Sequence, residues 1–242
     1  MIQSLPNPAA AELSGTIELS ETFSSVQGEG ASAGEPCLFV RLALCNLRCS
    51  WCDTKYTWDF RAHRYEDEVE TRSSESILAE ILRAPERRVV ITGGEPLVQQ
   101  HALVPLLQRV PRGIVIEVET NGTLLPDAVL LERVDQWNVS PKLANTGEAE
   151  RRRVHLDVLR TLAKTGRAYL KLVLEGSEDL PEAEALVTAA EWPKDRVLLM
   201  PRASTRAEYE RIAPQVAALC AAPGYRFSPR LHVVQWDGAR GR

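Results

Sequence analysis

Short apolar runs keep alternating with helical patterns along this chain, and that alternation restricts the fold more than any other feature. CLFVRLAL (37–44), RRVVITGG (87–94), GIVIEVETNG (113–122), QWNVSPK (136–142), AYLKLVLEG (168–176), DRVLLMP (195–201) and SPRLHVVQW (228–236) read as strands. Between them, SSESILAEILRA (73–84), VQQHALVPLLQRV (98–110), GEAERRRVHLDVLRTLAKTG (147–166), PEAEALVTAAE (181–191) and TRAEYERIAPQVAALCAA (205–222) read as helices, the third closed by Gly166. Strand, helix, strand over such short spacings implies parallel pairing through right-handed crossovers. VVIT, IVIEV and VLLM are continuously apolar, as expected where both faces of a sheet are covered. The units are too few for a complete eight-fold barrel. The expectation is therefore a partial, open α/β barrel of the TIM type with about six parallel strands, a single domain over residues 16–242.

Before it, MIQSLPNPAAAELSG (1–15) reads as a flexible tail, with neither the basic start nor the apolar run of a secretory signal. No apolar stretch approaches the roughly 20 residues of a membrane helix. A net charge of −4 argues against a surface built to coat nucleic acid or anionic lipid. A cytosolic setting is expected, where thiols stay reduced, and an odd count of five cysteines suits a disulfide framework poorly.

In open parallel sheets chemistry gathers at the carboxyl ends of the strands. Four motifs fall there: the cysteine loop after 37–44, TGGEP (92–96), ETNG (119–122) and SPK (140–142). The loop CNLRCSWC places Cys45, Cys49 and Cys52 at C-x3-C-x2-C spacing. Structural zinc asks for four ligands, and His63 is the one nearby candidate for a fourth. A four-iron cluster held by three thiolates would leave one iron open to a non-protein ligand. The residues favour that open cluster, with zinc as the alternative and a disulfide weakest.

Trp51 just before the last cysteine, and TGGEP downstream, make the chain resemble the radical S-adenosylmethionine (SAM) superfamily. The resemblance implies a 4Fe–4S cluster on the three cysteines and SAM on the open iron. VQGEG (26–30), CDT (52–54), TGGEP, ETNG and SPK in this order further resemble the 7-carboxy-7-deazaguanine synthase family, from about Ser20 onward. That family contracts the ring of 6-carboxy-5,6,7,8-tetrahydropterin with loss of ammonia, on the route to queuosine and other 7-deazapurines, with Mg²⁺ assisting. By this resemblance Trp51, Cys52, Asp53, Gly94, Ser140, Pro141 and Lys142 contact SAM, with Glu95 joining them, and Thr54 binds Mg²⁺. Val26, Gln27, Gly28, Glu29, Arg41 and Thr92 contact substrate, His232 and Arg242 are candidates for the same role, and Glu29 is a candidate for proton transfer. MPRAS (200–204) lies where a further cofactor contact is expected. A homodimer and a reductase- or flavodoxin-type electron donor are also implied.

Taken alone, Gln27, Glu29 and Arg41 would read as a turn with a surface salt bridge, and SPK as a turn with an exposed lysine. Arg151, Arg152 and Arg153 read as a solvated helix face, and His101 and His155 need no function. Two rivals remain: a glycyl-radical-enzyme activase of the same superfamily, and a metal-stabilised binding module without catalysis.

Overall fold

The computed structural model describes residues 15–242, so residues 1–14 of the expected tail lie outside it. One nine-stranded sheet runs through the described chain in the order β3-β1-β2-β4-β5-β6-β7-β8-β9. Its members are β1 (Thr16–Val26), β2 (Pro36–Leu42), β3 (Glu70–Ser73), β4 (Arg88–Gly93), β5 (Val115–Thr120), β6 (Gln136–Val139), β7 (Ala168–Leu174), β8 (Val197–Pro201) and β9 (Arg226–Phe227). From β2 onward every neighbouring pair is parallel, which makes seven parallel strands, the last of only two residues. Among the described residues β3 and β9 are the sheet's edges, so the barrel stays open.

The helices are α1 (Tyr65–Glu68), α2 (Ser74–Arg83), α3 (Gln100–Arg109), α4 (Ala128–Arg133), α5 (Glu150–Arg153), α6 (Leu156–Lys164), α7 (Leu180–Ala189), α8 (Arg206–Leu219) and α9 (Leu231–Trp236); α2, α3, α4, α6, α7 and α8 pack on the core, while α9 borders the cavity at the carboxyl ends of the strands. Local chemistry explains their starts. Ser73 caps α2 by accepting from the Ser76 backbone N–H, and Thr205 caps α8 through Glu208. Ile77, Leu78 and Ile81 of α2 and Leu103, Leu106 and Leu107 of α3 are buried with Ile91, Ile116, Trp137 and Leu170 of the sheet in one continuous core.

Three sequence expectations change. The 147–166 helix is two helices, α5 and α6, parted at Val154 and His155. Arg153 turns inward at the break, donating to the carbonyls of Lys142 and Glu148 and pairing with Glu182 at 2.7 Å. The arginine run is thus partly a buried clamp rather than a solvated face. The expected strand 228–236 is instead the end of β9's loop followed by α9, because the Leu231 N–H bonds the Gly28 carbonyl (2.9 Å) rather than a neighbouring strand. Finally, β1 was hidden in a polar stretch, TIELSETFSSV, whose Ile17 and Leu19 alone reach the core.

Strand register sets up the site. β1 and β2 form an antiparallel hairpin in which Glu21 lies opposite Arg41, and the loop at its end is closed by Gln27 N–H to Glu35 O at 2.8 Å. Across β2 and β4, Arg41 lies beside Thr92.

Candidate active site

Where the carboxyl ends of the strands meet, they surround a cavity of about 510 Å³. Cys45, Cys49 and Cys52 line one side of it. β2 leads into them through Leu44, a non-glycine residue in the left-handed region (φ 70°), whose N–H bonds the Thr57 carbonyl at 2.7 Å. All five cysteines are free thiols. Burial pushes the Cys45 thiol up to about 12 and raises Cys49, so without a cation these groups stay protonated. N–H groups already point at two sulfurs, Leu47 at Cys45 (3.4 Å) and the Trp58 indole at Cys52 (3.3 Å). Among the described residues no three His, Cys, Asp or Glu side chains converge on a single ion. A cubane cluster asks for something else: each thiolate meets a different iron, with N–H donors around the sulfurs. Three cavity-facing thiols on one loop, two of them receiving N–H groups, fit that group.

TGGEP presses backbone to backbone against this loop. The Gly94 N–H bonds Leu42 O at 3.0 Å and the Glu95 N–H bonds Leu44 O at 2.8 Å. A Cβ on Gly94 would stand 2.0 Å from the Leu44 oxygen, so only glycine allows the approach. Gly94 lines the cavity, and so do Trp51, Asp53, Ser140 and Lys142. The Lys142 ammonium donates to Ser140 Oγ (3.1 Å) and lies 6.0 Å from the centre of the Trp51 ring. Met200 and Ser204 of MPRAS also reach the cavity.

Glu95 and Pro141 do not line it. Glu95 is fully buried behind the wall, accepting from Thr120 Oγ1 (2.8 Å) and the backbone N–H groups of Asn121 (2.6 Å) and Leu97 (3.1 Å). Burial raises its pKa against the pull of those donors. These three bonds tie TGGEP to ETNG and leave Oε2, which accepts only from Asn121, with a further lone pair.

The opposite side carries Val26, Gln27, Gly28, Glu29, Arg41 and Thr92. Gln27 spends its amide on protein partners, Glu117 (2.9 Å) and Glu119 (3.1 Å), while its oxygen takes the Glu29 N–H. Thr92 donates to Glu119 at 2.6 Å. Arg41 gives its Nε to Glu21 (2.7 Å), and Glu21 also accepts from the Tyr56 hydroxyl (3.0 Å). Glu29 sits between the Lys171 ammonium (2.5 Å) and Arg230 Nε (2.9 Å). Burial alone would raise its pKa, yet Lys171 first, then Arg230 and His232, hold the carboxyl well below the usual range. It is therefore a firm anion and a weak base. Thr54 turns its hydroxyl to within 3.5 Å of Cys52 Sγ and lines the cavity.

His232 and Arg242 reach the cavity too, brought there by the final segment. Arg240 anchors that segment: its guanidinium stacks 3.9 Å over the Tyr56 ring and pairs with Glu21 (2.9 Å) and Glu68 (2.5 Å). Sequence reasoning missed Lys171, Glu119, Arg230, Glu21 and Arg240. Lys171 left a signal, a lone charge inside the apolar strand AYLKLVL, and Glu119 stood in ETNG; Arg230 left none, since it was read as part of a strand.

This geometry accompanies clear likenesses to known proteins. The Radical SAM superfamily model matches residues 41–183. A 7-carboxy-7-deazaguanine synthase from Pyrobaculum aerophilum is 37% identical over 93% of this chain and 97% of its own length. The chain belongs to the 7-carboxy-7-deazaguanine synthase family. The synthase of that name from Halobacterium salinarum is 37% identical over 92% of this chain and 91% of its own. Among solved structures, QueE from Escherichia coli matches with a TM-score of 0.69 at 28% identity, covering 90% of this chain and 95% of that one. The fold of this family member is thus the radical SAM fold, and the chain is a radical SAM enzyme. No helix among its described residues is long and apolar enough to cross a membrane.

Proposed function

We propose that this protein converts 6-carboxy-5,6,7,8-tetrahydropterin to 7-carboxy-7-deazaguanine with loss of ammonia, in the route to queuosine and related 7-deazapurines. One observation carries the reading: a single cavity is shared by the cysteine loop, the TGGEP and SPK segments, and the VQGEG loop with Arg41. Cys45, Cys49 and Cys52 would hold the cluster, which together with SAM would supply one-electron radical chemistry at the substrate. The protein's own work is chiefly positioning.

Gly94, whose missing Cβ lets TGGEP seat against the cysteine loop, would border the cofactor's space together with Ser140, Lys142 and Trp51. Arg41, with Nε committed to Glu21, keeps its terminal fork for the substrate carboxylate. Thr54 would offer one hydroxyl oxygen to Mg²⁺, which prefers about six oxygens and keeps waters, so substrate oxygens would be needed beside it. Glu29, a firm anion beside Lys171 and Arg230, suits recognition of the pterin's N–H edge better than proton abstraction. His232 and Arg242 close the substrate side. A flavodoxin- or reductase-type electron donor, a homodimeric assembly and a cytoplasmic setting complete the reading.

The test is anaerobic reconstitution with iron and sulfide, then incubation with reductant, SAM, Mg²⁺ and carboxytetrahydropterin. Deazaguanine product supports the proposal. 5′-Deoxyadenosine without that product would refute the substrate assignment, and zinc uptake without iron would refute the cluster.

A further inference from the structure

Arg230, which the functional reading above does not use for chemistry, is almost fully buried (7% exposed) and spends all three guanidinium nitrogens. Its Nε donates to Glu29 Oε1 at 2.9 Å, Nη1 donates to the Ala203 carbonyl, and Nη2 donates to Asp53. The two carboxylates belong to different parts of the site. Glu29 sits on the substrate loop, and Asp53 directly follows the last cysteine of the cluster loop.

The substrate loop and the segment carrying Arg230 behave as one body. Leu231 N–H bonds Gly28 O (2.9 Å), and Gly30 N–H bonds Ser228 Oγ (2.8 Å). The His232 ring fills the space that a Cβ on Gly28 would need, with Nδ1 at 2.2 Å from that position. Among the described residues, the hydrogen bond joining this body (27–35 with 226–236) to the cysteine loop and its continuation (45–58) is Arg230 to Asp53. Displacing Glu29 therefore moves the guanidinium, and with it the carboxylate beside the third cysteine. The reverse holds equally.

We propose that Arg230 is a positioning residue that couples substrate binding to SAM binding, by holding Glu29 and Asp53 on one rigid guanidinium plane. This rests on the functional reading above. Coupling between two sites is reciprocal, so each ligand must tighten the other by the same factor. A planar fork can serve three acceptors at fixed angles, and an ammonium on a flexible stem cannot. Arg230→Lys keeps a positive charge near Glu29, which also retains Lys171, while Asp53 (45% exposed) can turn to water in the cavity. The change removes the link without stranding a buried charge.

The experiment is equilibrium dialysis of the reconstituted protein without reductant, so that nothing turns over. The dissociation constant of SAM is measured with and without saturating 6-carboxytetrahydropterin. The wild type is expected to bind SAM at least about 5-fold more tightly with the pterin present, the lower end of ordinary coupling. In Arg230→Lys that ratio should fall toward one. Asp53→Ala removes the acceptor of the same link from the other side and should give the same loss; it decides the matter if Arg230→Lys does not fold. A purely structural role would weaken both affinities and leave the ratio intact. A ratio of one in the wild type, or an unchanged ratio in the variants, overturns the proposal. If the wild type fails to bind the pterin, the functional reading falls and this coupling with it; loss confined to the ratio leaves that reading standing.

Discussion

Replacing Gly94 by alanine probes the contact that seats the TGGEP segment against the cysteine loop. The added Cβ would lie 2.0 Å from the Leu44 oxygen, 2.6 Å from its carbonyl carbon and 3.0 Å from Cys45 Cβ. Ordinary contact begins near 3.5 Å, so the nearest overlap is about 1.5 Å. The obstructing oxygen is backbone and accepts the Glu95 N–H at 2.8 Å, so it cannot rotate aside as a side-chain end would. Gly94 does not sit in the left-handed region, which leaves space as the sole source of the cost. Overpacking of this kind costs about 1–3 kcal/mol. At roughly 2–4 °C per kcal/mol for a chain of this size, the melting temperature should fall by about 2–12 °C. Because the displaced residue leads straight into Cys45, iron bound per chain after reconstitution should fall as well. Gly113→Ala is the control: its Cβ meets nothing within 4 Å, so it should be neutral or slightly stabilising. Thermal melts and iron assays on both variants check this. A Gly94→Ala protein that melts with the wild type and takes up full iron would refute the close-approach argument.

Serine in place of Cys45, Cys49 or Cys52 should each lower iron uptake, whereas Cys37→Ser and Cys220→Ser should not, both being buried away from the loop; iron loss in the latter pair would move the cluster elsewhere. Thr54→Ala should raise the Mg²⁺ concentration needed for turnover while the cluster absorbance stays intact, and loss of that absorbance would make Thr54 structural. Arg41→Lys forfeits the bidentate fork and should raise the KM for substrate roughly tenfold, the ~1.4 kcal/mol of one lost hydrogen bond; an unchanged KM would remove Arg41 from the substrate site. Glu29, held well below its usual pKa, contributes stability that is complete above the unfolded value of about 4.3 and is lost as pH falls through the lower folded value. Glu29→Gln should therefore melt below the wild type at neutral pH, with the gap narrowing on acidification; parallel melting curves would contradict the ion-paired assignment.

The parallel strands were legible because continuous apolar runs such as VVIT and VLLM have few other places to go. The cluster loop and most cofactor contacts were legible because their chemistry requires particular residues at short spacing. What escaped notice depends on distant partners. β1 buries only Ile17 and Leu19 while its polar residues face the hairpin and cavity, so no run marks it. LHVVQW is mostly apolar and carries two adjacent valines, which read as a strand, but its backbone meets the Gly28 loop and it coils into α9. Glu95 also braces TGGEP against ETNG by accepting from Thr120, Asn121 and Leu97, a role that no local pattern announces. Arg230 acquires its meaning only once residues 29, 53 and 203 are brought to it.

The fold has a consequence in time as well as in space. The cavity's substrate wall joins residues near the beginning of the described chain, 26–29, to residues near its end, within 230–242. During synthesis the cysteine loop and the strands beneath it emerge long before α9 and Arg240 exist, and chains fold from the N-terminal side as they are made. An assembling chain thus passes through a stage with its thiols gathered and its front still open, a period in which iron and sulfide have the freest access to the loop. Once the last segment docks across Gly28 and Tyr56, it completes the substrate side of the cavity that the same thiols line.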